Sequence, residues 1–182
     1  ASASLIQNGT FDTDLSEWSL TGNNEVDNSE AHVGAPGADD NSSISQVFTI
    51  DSSTSSVNIS FDYLWYGNLD TDEPDVFTAK FSYYNVSDDW NEIVLVEEEN
   101  YDGSLTARVF FDEKYFLTNL NQNDDNAKIE FALVEANSTD PVGTRIDLDN
   151  VTVSPVPEPS TLLLLGSGLA GLGFYARKRK KA

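Results

Sequence analysis

Apolar and polar residues alternate along most of the chain. In the clearest segment, residues 56–65, every second residue from Val57 to Trp65 is apolar and the residues between them are mostly polar. A period of two places apolar side chains on one face of a strand and polar ones on the other. Segments 77–83 and 127–133 repeat the pattern. We predict these three segments as the core strands of the domain.

Four shorter segments also alternate and lie between turns rich in Asp, Asn, Gly and Ser, which predicts further strands at 44–50, 93–96, 106–111 and 146–153. Within the last segment the apolar parity changes after Leu148, which predicts a bulge near residues 149–150. No stretch of the body shows a sustained helical period. The pattern therefore predicts an all-β antiparallel sandwich over residues 1–154, with Trp18, Tyr63 and Trp65 in its core.

The chain changes character at residue 155. Three prolines within residues 155–159 predict an extended spacer over 155–160. Residues 161–176 carry no charge and are rich in Leu and Gly, and residues 177–181 are all basic. Sixteen helical residues span about 24 Å, slightly less than the hydrocarbon layer. We predict a single C-terminal transmembrane helix with a basic tail over 161–182, the basic end being cytoplasmic.

Composition and charge exclude several classes of function. The chain has 31 acidic and 10 basic residues, and its first 157 residues hold 30 acidic against five basic ones, a charge of −25. Such a field repels phosphate backbones, so we expect no nucleic-acid partner. The lack of cysteine and the single histidine, His32, argue against thiol, iron–sulfur and zinc chemistry, and with no Gly-x-Ser-x-Gly motif we expect no enzyme. The absence of methionine predicts N-terminal processing and export.

The C-terminal segment resembles a known family of sorting signals. Val156, Pro157, Glu158 and Pro159, then the Leu/Gly span, then Arg177, Lys178 and Arg179, match the PEP-CTERM signal of Gram-negative bacteria in nearly every element. The resemblance implies recognition by a membrane exosortase, and placement at the cell envelope, the cell surface or the extracellular matrix. A plain membrane anchor and helix self-assembly through Gly166 to Gly173 are the alternatives.

Both ends of the body resemble galactose-binding-like jelly rolls and carbohydrate-binding modules. The motif at residues 5–12, followed by Trp18, and the closing motif at 146–151 carry the likeness. It implies an antiparallel jelly-roll β-sandwich whose end motifs meet, with a structural Ca²⁺ held by Asp12 and Asp149. Calcium prefers hard oxygen ligands. A bound cation would also reduce the charge repulsion within a domain whose net charge is −25. The alternative is that Asp12 caps a turn and Asp149 lies in water.

Aromatic residues in polar stretches or on the wet side of strands are candidates for stacking on sugar rings. Tyr66, Tyr84, Trp90 and Tyr101 fit this description, and we take Tyr84 and Trp90 as the most promising pair. Six Asn-x-Ser/Thr sequences, a mild excess over chance, are glycosylation candidates. They begin at Asn8, Asn41, Asn58, Asn85, Asn137 and Asn150.

Three functions remain compatible with the sequence. The first is a secreted, surface-anchored structural or adhesive protein of the extracellular matrix. The second is a carbohydrate-binding module that retains exopolysaccharide, and the third is a homopolymeric filament. Binding assays with aromatic variants discriminate the second from the first, and electron microscopy identifies the third.

Overall fold

All regular elements in the described part of the chain are strands. The computed structural model describes residues 3–34, 41–66, 74–100, 107–135 and 144–156. Within these ranges ten strands follow one another along the chain. They are β1 (Ser19–Thr21), β2 (Asn24–Asp27), β3 (Glu30–Val33), β4 (Ser42–Phe48), β5 (Ser56–Tyr66), β6 (Asp75–Tyr84), β7 (Trp90–Asn100), β8 (Val109–Phe116), β9 (Ala127–Val134) and β10 (Arg145–Pro155).

The strands form two five-stranded sheets. Sheet 1 has the order β1-β4-β9-β6-β7 and sheet 2 the order β2-β3-β10-β5-β8, and every pairing is antiparallel. This arrangement confirms the predicted all-β antiparallel fold. The predicted C-terminal helix over 161–182 lies outside the described residues. Within the described residues no helix is long and apolar enough to cross a membrane.

The core lies between the inner faces of the two sheets and is rich in aromatic rings. Phe61 of β5 stacks on Phe111 of β8 with ring centroids 4.7 Å apart and meets Phe131 of β9 edge-on at 5.0 Å. Trp18, Tyr63 and Trp65 are buried, which confirms their prediction as core residues. The contact between Phe61 and Phe131 joins the two sheets, so aromatic burial holds them together.

The predicted bulge in the last strand is confirmed. The register of β10 against β5 shifts between Asp149 and Thr152, and Asn150 has a φ of 54°. An extra residue at this point lets Leu148 and Val151 both face the core although their separation is odd. The bulge leaves Asp149 half-buried and Asn150 exposed at the surface of sheet 2.

The bounds of two edge strands differ most from the prediction, and three strands were not predicted. β7 begins at Trp90 and ends at Asn100, not at 93 and 96, and β8 covers Val109–Phe116 rather than 106–111. Charged residues on these edge strands break the apolar alternation. β1 and β2 are short, polar and without a fully buried residue, so they carry no periodic signal. β3 is largely buried but has four residues, too few to show a period.

One end of the sandwich gathers several turns and the point where the chain leaves the domain. Tyr84 pairs with Trp90 across β6 and β7, and Phe48 pairs with Ala127 across β4 and β9. In sheet 2, Ser56 pairs with Phe116, and the N–H of Val156 donates to the Ser56 carbonyl at 2.9 Å. Segments 49–55, 85–89 and 117–126 therefore lie at the same end as Val156. We call it the exit end.

Candidate functional site

The two residues predicted to bind a glycan stack on each other at the exit end. Tyr84 ends β6, Trp90 begins β7, and the two are direct cross-strand partners. Their ring centroids lie 3.8 Å apart with an interplanar angle of 27°. Trp90 remains 42% exposed. The pair thus forms a stacked aromatic platform with ring surface available to a ligand.

A polar pocket of about 300 Å³ lies beside this platform. Its lining residues are Tyr84, Asp88, Asn121, Asn123 and Asp124. They provide a phenol, two carboxylates and two amides, and none of these described lining residues is a lysine or an arginine. One aromatic ring with convergent hydrogen-bonding groups is the composition expected of a site for a polyhydroxylated ligand.

Backbone hydrogen bonds between two distant turns fix the shape of the pocket. The N–H of Tyr84 donates to the Asn126 carbonyl at 2.8 Å, and the N–H of Val86 donates to the Asn119 carbonyl at 2.8 Å. The Asn121 amide donates to the Asp88 carboxylate at 3.1 Å. The side chains of Asp88 and Asn121 are therefore held in place by the fold.

Sequence reasoning did not find the polar residues of this pocket. Asp88 lies between the two predicted aromatics, whereas Asn121, Asn123 and Asp124 come from the turn before β9. An Asp/Asn-rich turn is an ordinary turn signal, so nothing in the local sequence marks it as a site. Only the pairing of β6 with both β7 and β9 brings the two turns together.

The two end motifs meet, as the resemblance implies. The N–H of Leu5 donates to the Val153 carbonyl at 2.7 Å, and the N–H of Val151 donates to the Gly9 carbonyl at 2.8 Å. A Cβ on Gly9 would lie 2.1 Å from the Val151 carbonyl oxygen, so only glycine permits this approach. The seam brings the carboxylate of Asp12 into electrostatic range of Asp149.

A third carboxylate, Asp62, lies directly opposite Asp149 across β5 and β10. The Asn150 amide donates to Asp62 at 2.9 Å and to Asp149 at 3.0 Å. Burial raises the pKa of Asp149; the Asn150 N–H and Arg108 lower it, and the charges of Asp62 and Asp12 raise it. Like charges directly opposite on neighbouring strands are destabilising, and a bound cation would relieve that repulsion.

A buried polar cluster on the outer face of sheet 2 was also missed from the sequence. His32 places Nε2 3.4 Å from Asp147 and Nδ1 3.6 Å from Glu25. Among the described residues, one group of three His, Cys, Asp or Glu side chains has possible metal-ligating atoms within 4.8 Å of one another. It consists of Glu30, His32 and Asp147. However, Arg145 donates to Asp147 at 2.7 Å and Arg108 donates to Glu30. The arginines already neutralise these carboxylates, so ion pairing accounts for the cluster.

The glycosylation candidates differ in how their side chains are used. The Nδ2 atom, which would carry a glycan, donates hydrogen bonds in Asn8, Asn58 and Asn150. In Asn41 and Asn85 the side-chain oxygen accepts backbone N–H groups. Asn137 lies outside the described residues. Of the other aromatic candidates, Tyr66 is exposed and Tyr101 lies outside the described residues.

Comparison with known protein families identifies the C-terminal segment. The family described as PEP-CTERM protein-sorting motif matches residues 155–180. Apart from Pro155 and Val156, the matched residues lie outside the described part of the chain, including Pro157, Glu158, Pro159, Arg177, Lys178 and Arg179. The predicted sorting signal is confirmed, and it indicates an exported, surface-associated protein. No curated protein sequence matches the chain.

Solved structures similar to this one are carbohydrate-binding jelly rolls and a phage tailspike. The N-terminal cellulose-binding domain of Cellulomonas fimi β-1,4-glucanase C is 14% identical with a TM-score of 0.54, covering 86% of this chain and 100% of that domain. The CBM22-1 xylan-binding domain of Paenibacillus barcinonensis Xyn10C is 12% identical with a TM-score of 0.51, covering 87% and 98%.

The active domain of bacteriophage CBA120 tailspike protein 4 is 15% identical with a TM-score of 0.53, covering 84% of this chain. This chain spans only 21% of that one. At such identities the likeness shows the fold. The predicted jelly roll is thereby confirmed.

Proposed function

We propose that this exported protein binds a glycan through the Tyr84–Trp90 platform and the adjoining polar pocket. The observation that carries the proposal is the stacked ring pair beside converging carboxylate and amide groups. Sugar rings offer flat C–H faces for stacking and hydroxyls for hydrogen bonds, and the site supplies both partners. The cellulose- and xylan-binding neighbours share the fold and support a carbohydrate ligand. We propose a binding protein rather than an enzyme.

The charge of the site favours a neutral glycan. Asp88 and Asp124 line the pocket, and the body of the chain carries −25. A uronic-acid or sulfated polymer would meet this field, and the described residues that line the pocket include no cationic side chain to compensate. We expect binding to neutral polymers such as xylan, galactan or soluble cellulose derivatives in affinity electrophoresis. Binding only to alginate or polygalacturonate would contradict the proposed site.

The sorting signal gives the proposed binding domain its location. Handling by a membrane exosortase follows from the PEP-CTERM match. Val156, the last described residue, lies at the exit end together with the pocket. A glycan in the pocket would therefore lie at the same end of the domain as the point where the chain leaves it. This geometry suits an adhesive protein that retains exopolysaccharide at the cell surface or in the extracellular matrix.

Removal of residues 157–182 tests the sorting role. We expect the truncated protein to be lost from the cell surface while its β-sandwich remains folded, because the described strands end at Pro155. Cell fractionation with immunodetection measures location, and mass spectrometry of the mature C terminus identifies any cleavage. A control with residues 177–181 changed to glutamine keeps the apolar span but removes its basic end. Normal surface placement of the truncated protein would contradict the sorting role.

We further propose that Asp12 and Asp149, with Asp62 opposite Asp149, take up a structural Ca²⁺ at the seam between the first and last segments, and that the ion draws these carboxylates closer together than they lie in the described structure. The position of Asp62 directly opposite Asp149 supports this proposal. Burial raises the pKa of Asp149, and the charges of Asp62 and Asp12 add smaller contributions in the same direction. Because folding favours the protonated form of Asp149, the metal-free fold loses stability as pH rises through that raised pKa. At neutral pH a hard divalent cation would remove this penalty.

Thermal unfolding with Ca²⁺ and with a chelator tests this site. We expect Ca²⁺ to add about 3 kcal/mol at a free concentration of about 100 times its dissociation constant. Asp149→Asn should raise the midpoint in chelator, because it removes a repelled charge, and should abolish the response to Ca²⁺. Asp27→Asn, an exposed change outside the seam, is the control. A wild-type midpoint that does not respond to Ca²⁺ would exclude the metal site.

A further inference from the structure

A second aromatic surface, separate from the pocket, lies on the outer face of sheet 2. Phe110 and Phe116 of β8 are 74% and 71% exposed, and Tyr66 at the end of β5 is 54% exposed. Phe110 pairs with Asp62 and Phe116 with Ser56, so both rings share the outer face with Asp62 and Tyr66. We call these three rings the sheet 2 aromatic row.

The row extends along two neighbouring strands, β8 and β5. Six residues separate Phe110 from Phe116, which corresponds to about 20 Å along a strand. Tyr66 lies four positions beyond Asp62, the partner of Phe110, and extends the row by about 13 Å more. A row of about 33 Å matches an extended polymer chain and greatly exceeds a single sugar residue.

The surface between the rings is polar. The Asn58 amide donates to the Asp112 carboxylate at 2.5 Å, and the hydroxyls of Ser60 and Thr152 are 2.8 Å apart. The rings at the two ends of the row each make a cation–π contact. Lys114 Nζ lies 4.8 Å from the centroid of the Phe116 ring, and the Arg145 guanidinium lies 4.1 Å from that of Tyr66. Rings alternating with hydroxyl, amide and ammonium groups fit a polyhydroxylated chain.

Charge argues against a second copy of this chain as the occupant. β8 is an edge strand whose middle carries Asp112, Glu113 and Lys114, and charged side chains on an edge oppose pairing with another strand. Two bodies of charge −25 also repel each other. A neutral polysaccharide does not have to pair with the edge strand and is not repelled by the negative charge.

We propose that the sheet 2 aromatic row is a second glycan-binding surface, which takes an extended, neutral polysaccharide chain. This inference rests on the proposed function in taking a glycan as the ligand, but it uses different residues on the other sheet. One domain with a pocket at its exit end and a row along sheet 2 contacts two polymer segments. Such a domain cross-links chains.

The test compares polymer with short oligosaccharide. Phe110→Ala/Phe116→Ala should lower the affinity for xylan or a soluble cellulose derivative in affinity electrophoresis by tenfold or more. Its binding of a di- or trisaccharide at the pocket, measured by calorimetry, should stay unchanged. Leu20→Ala/Val134→Ala, which removes exposed apolar side chains from sheet 1, is the matched control. Because both phenylalanines are exposed, the thermal midpoint should change little.

Each outcome separates the two sites. Polymer affinity within twofold of wild type in Phe110→Ala/Phe116→Ala would overturn the aromatic row. If that variant keeps polymer affinity while Trp90→Ala loses it, the proposed function stands and the row fails. If Trp90→Ala keeps full affinity and the phenylalanine variant loses it, the row stands and the pocket fails. A wild-type dimer in sedimentation that the phenylalanine variant dissociates would assign the row to protein contact and overturn it.

Discussion

Replacement of Trp90 by alanine is expected to reduce the affinity for a neutral oligosaccharide by tenfold or more, about 1.4 kcal/mol. The substitution removes the exposed ring of the platform and the surface against which Tyr84 stacks at 3.8 Å. Truncation of an aromatic anchor is among the costliest changes to binding. Calorimetric titration at constant pH and salt measures the effect.

Tryptophan fluorescence provides a direct readout of the same site. The chain has three tryptophans, and Trp18 and Trp65 are buried whereas Trp90 is exposed. A sugar stacked on Trp90 should therefore shift the emission, and Trp90→Phe should remove the shift while retaining part of the affinity. Val86→Ala, which truncates an exposed side chain in the turn between the two aromatics, is the control. An unchanged affinity in Trp90→Ala would remove the pocket from the proposed function.

Replacement of Asp147 by asparagine is expected to lower the free energy of unfolding by about 3 kcal/mol. The Asp147 side chain is only 8% exposed and accepts a hydrogen bond from Arg145 at 2.7 Å, with His32 Nε2 at 3.4 Å. Loss of the carboxylate charge leaves a largely buried guanidinium without its counter-ion. Burial of an unpaired charge costs several kcal/mol, whereas exposed pairs contribute little.

An exposed ion pair provides the control for the Asp147→Asn substitution. Glu92 contacts Lys80 at 3.1 Å on the outer face of sheet 1, with half of the Glu92 side chain exposed. Glu92→Gln should change stability by less than about 1 kcal/mol. Urea denaturation of both variants measures the difference. Equal losses for the two substitutions would show that the cluster around Asp147 makes no special contribution.

The alternation of the sequence predicted the central strands well because these strands have one buried and one wet face. β5, β6 and β9 lie in the middle of their sheets, and their apolar residues face a shared core. The parity change after Leu148 predicted the bulge for the same reason, since both sides of it must bury apolar residues. β1 and β2 bury few side chains, so their sequences show no alternation. They are strands because they pair with β4 and β3.

The candidate site was predicted only in part. Tyr84 and Trp90 were identified as candidates because they have outward parity or lie in polar stretches, where a ring is free to stack on a sugar. Phe110 and Phe116 were not identified, because the predicted strand ended at residue 111 and the outward parity of β8 was unknown. Register against β5 decides which of its residues face outward.

The sequence by itself determined the β alternation, the acidic charge of the body and the sorting tail, because each depends on neighbouring residues or on composition alone. The tertiary structure decided which polar groups meet. Asp88 and Asn121 share a pocket, Asp62 opposes Asp149, and Asp147 is buried between Arg145 and His32. These contacts join residues far apart in the chain, so they follow from strand order and register, which local pattern does not encode.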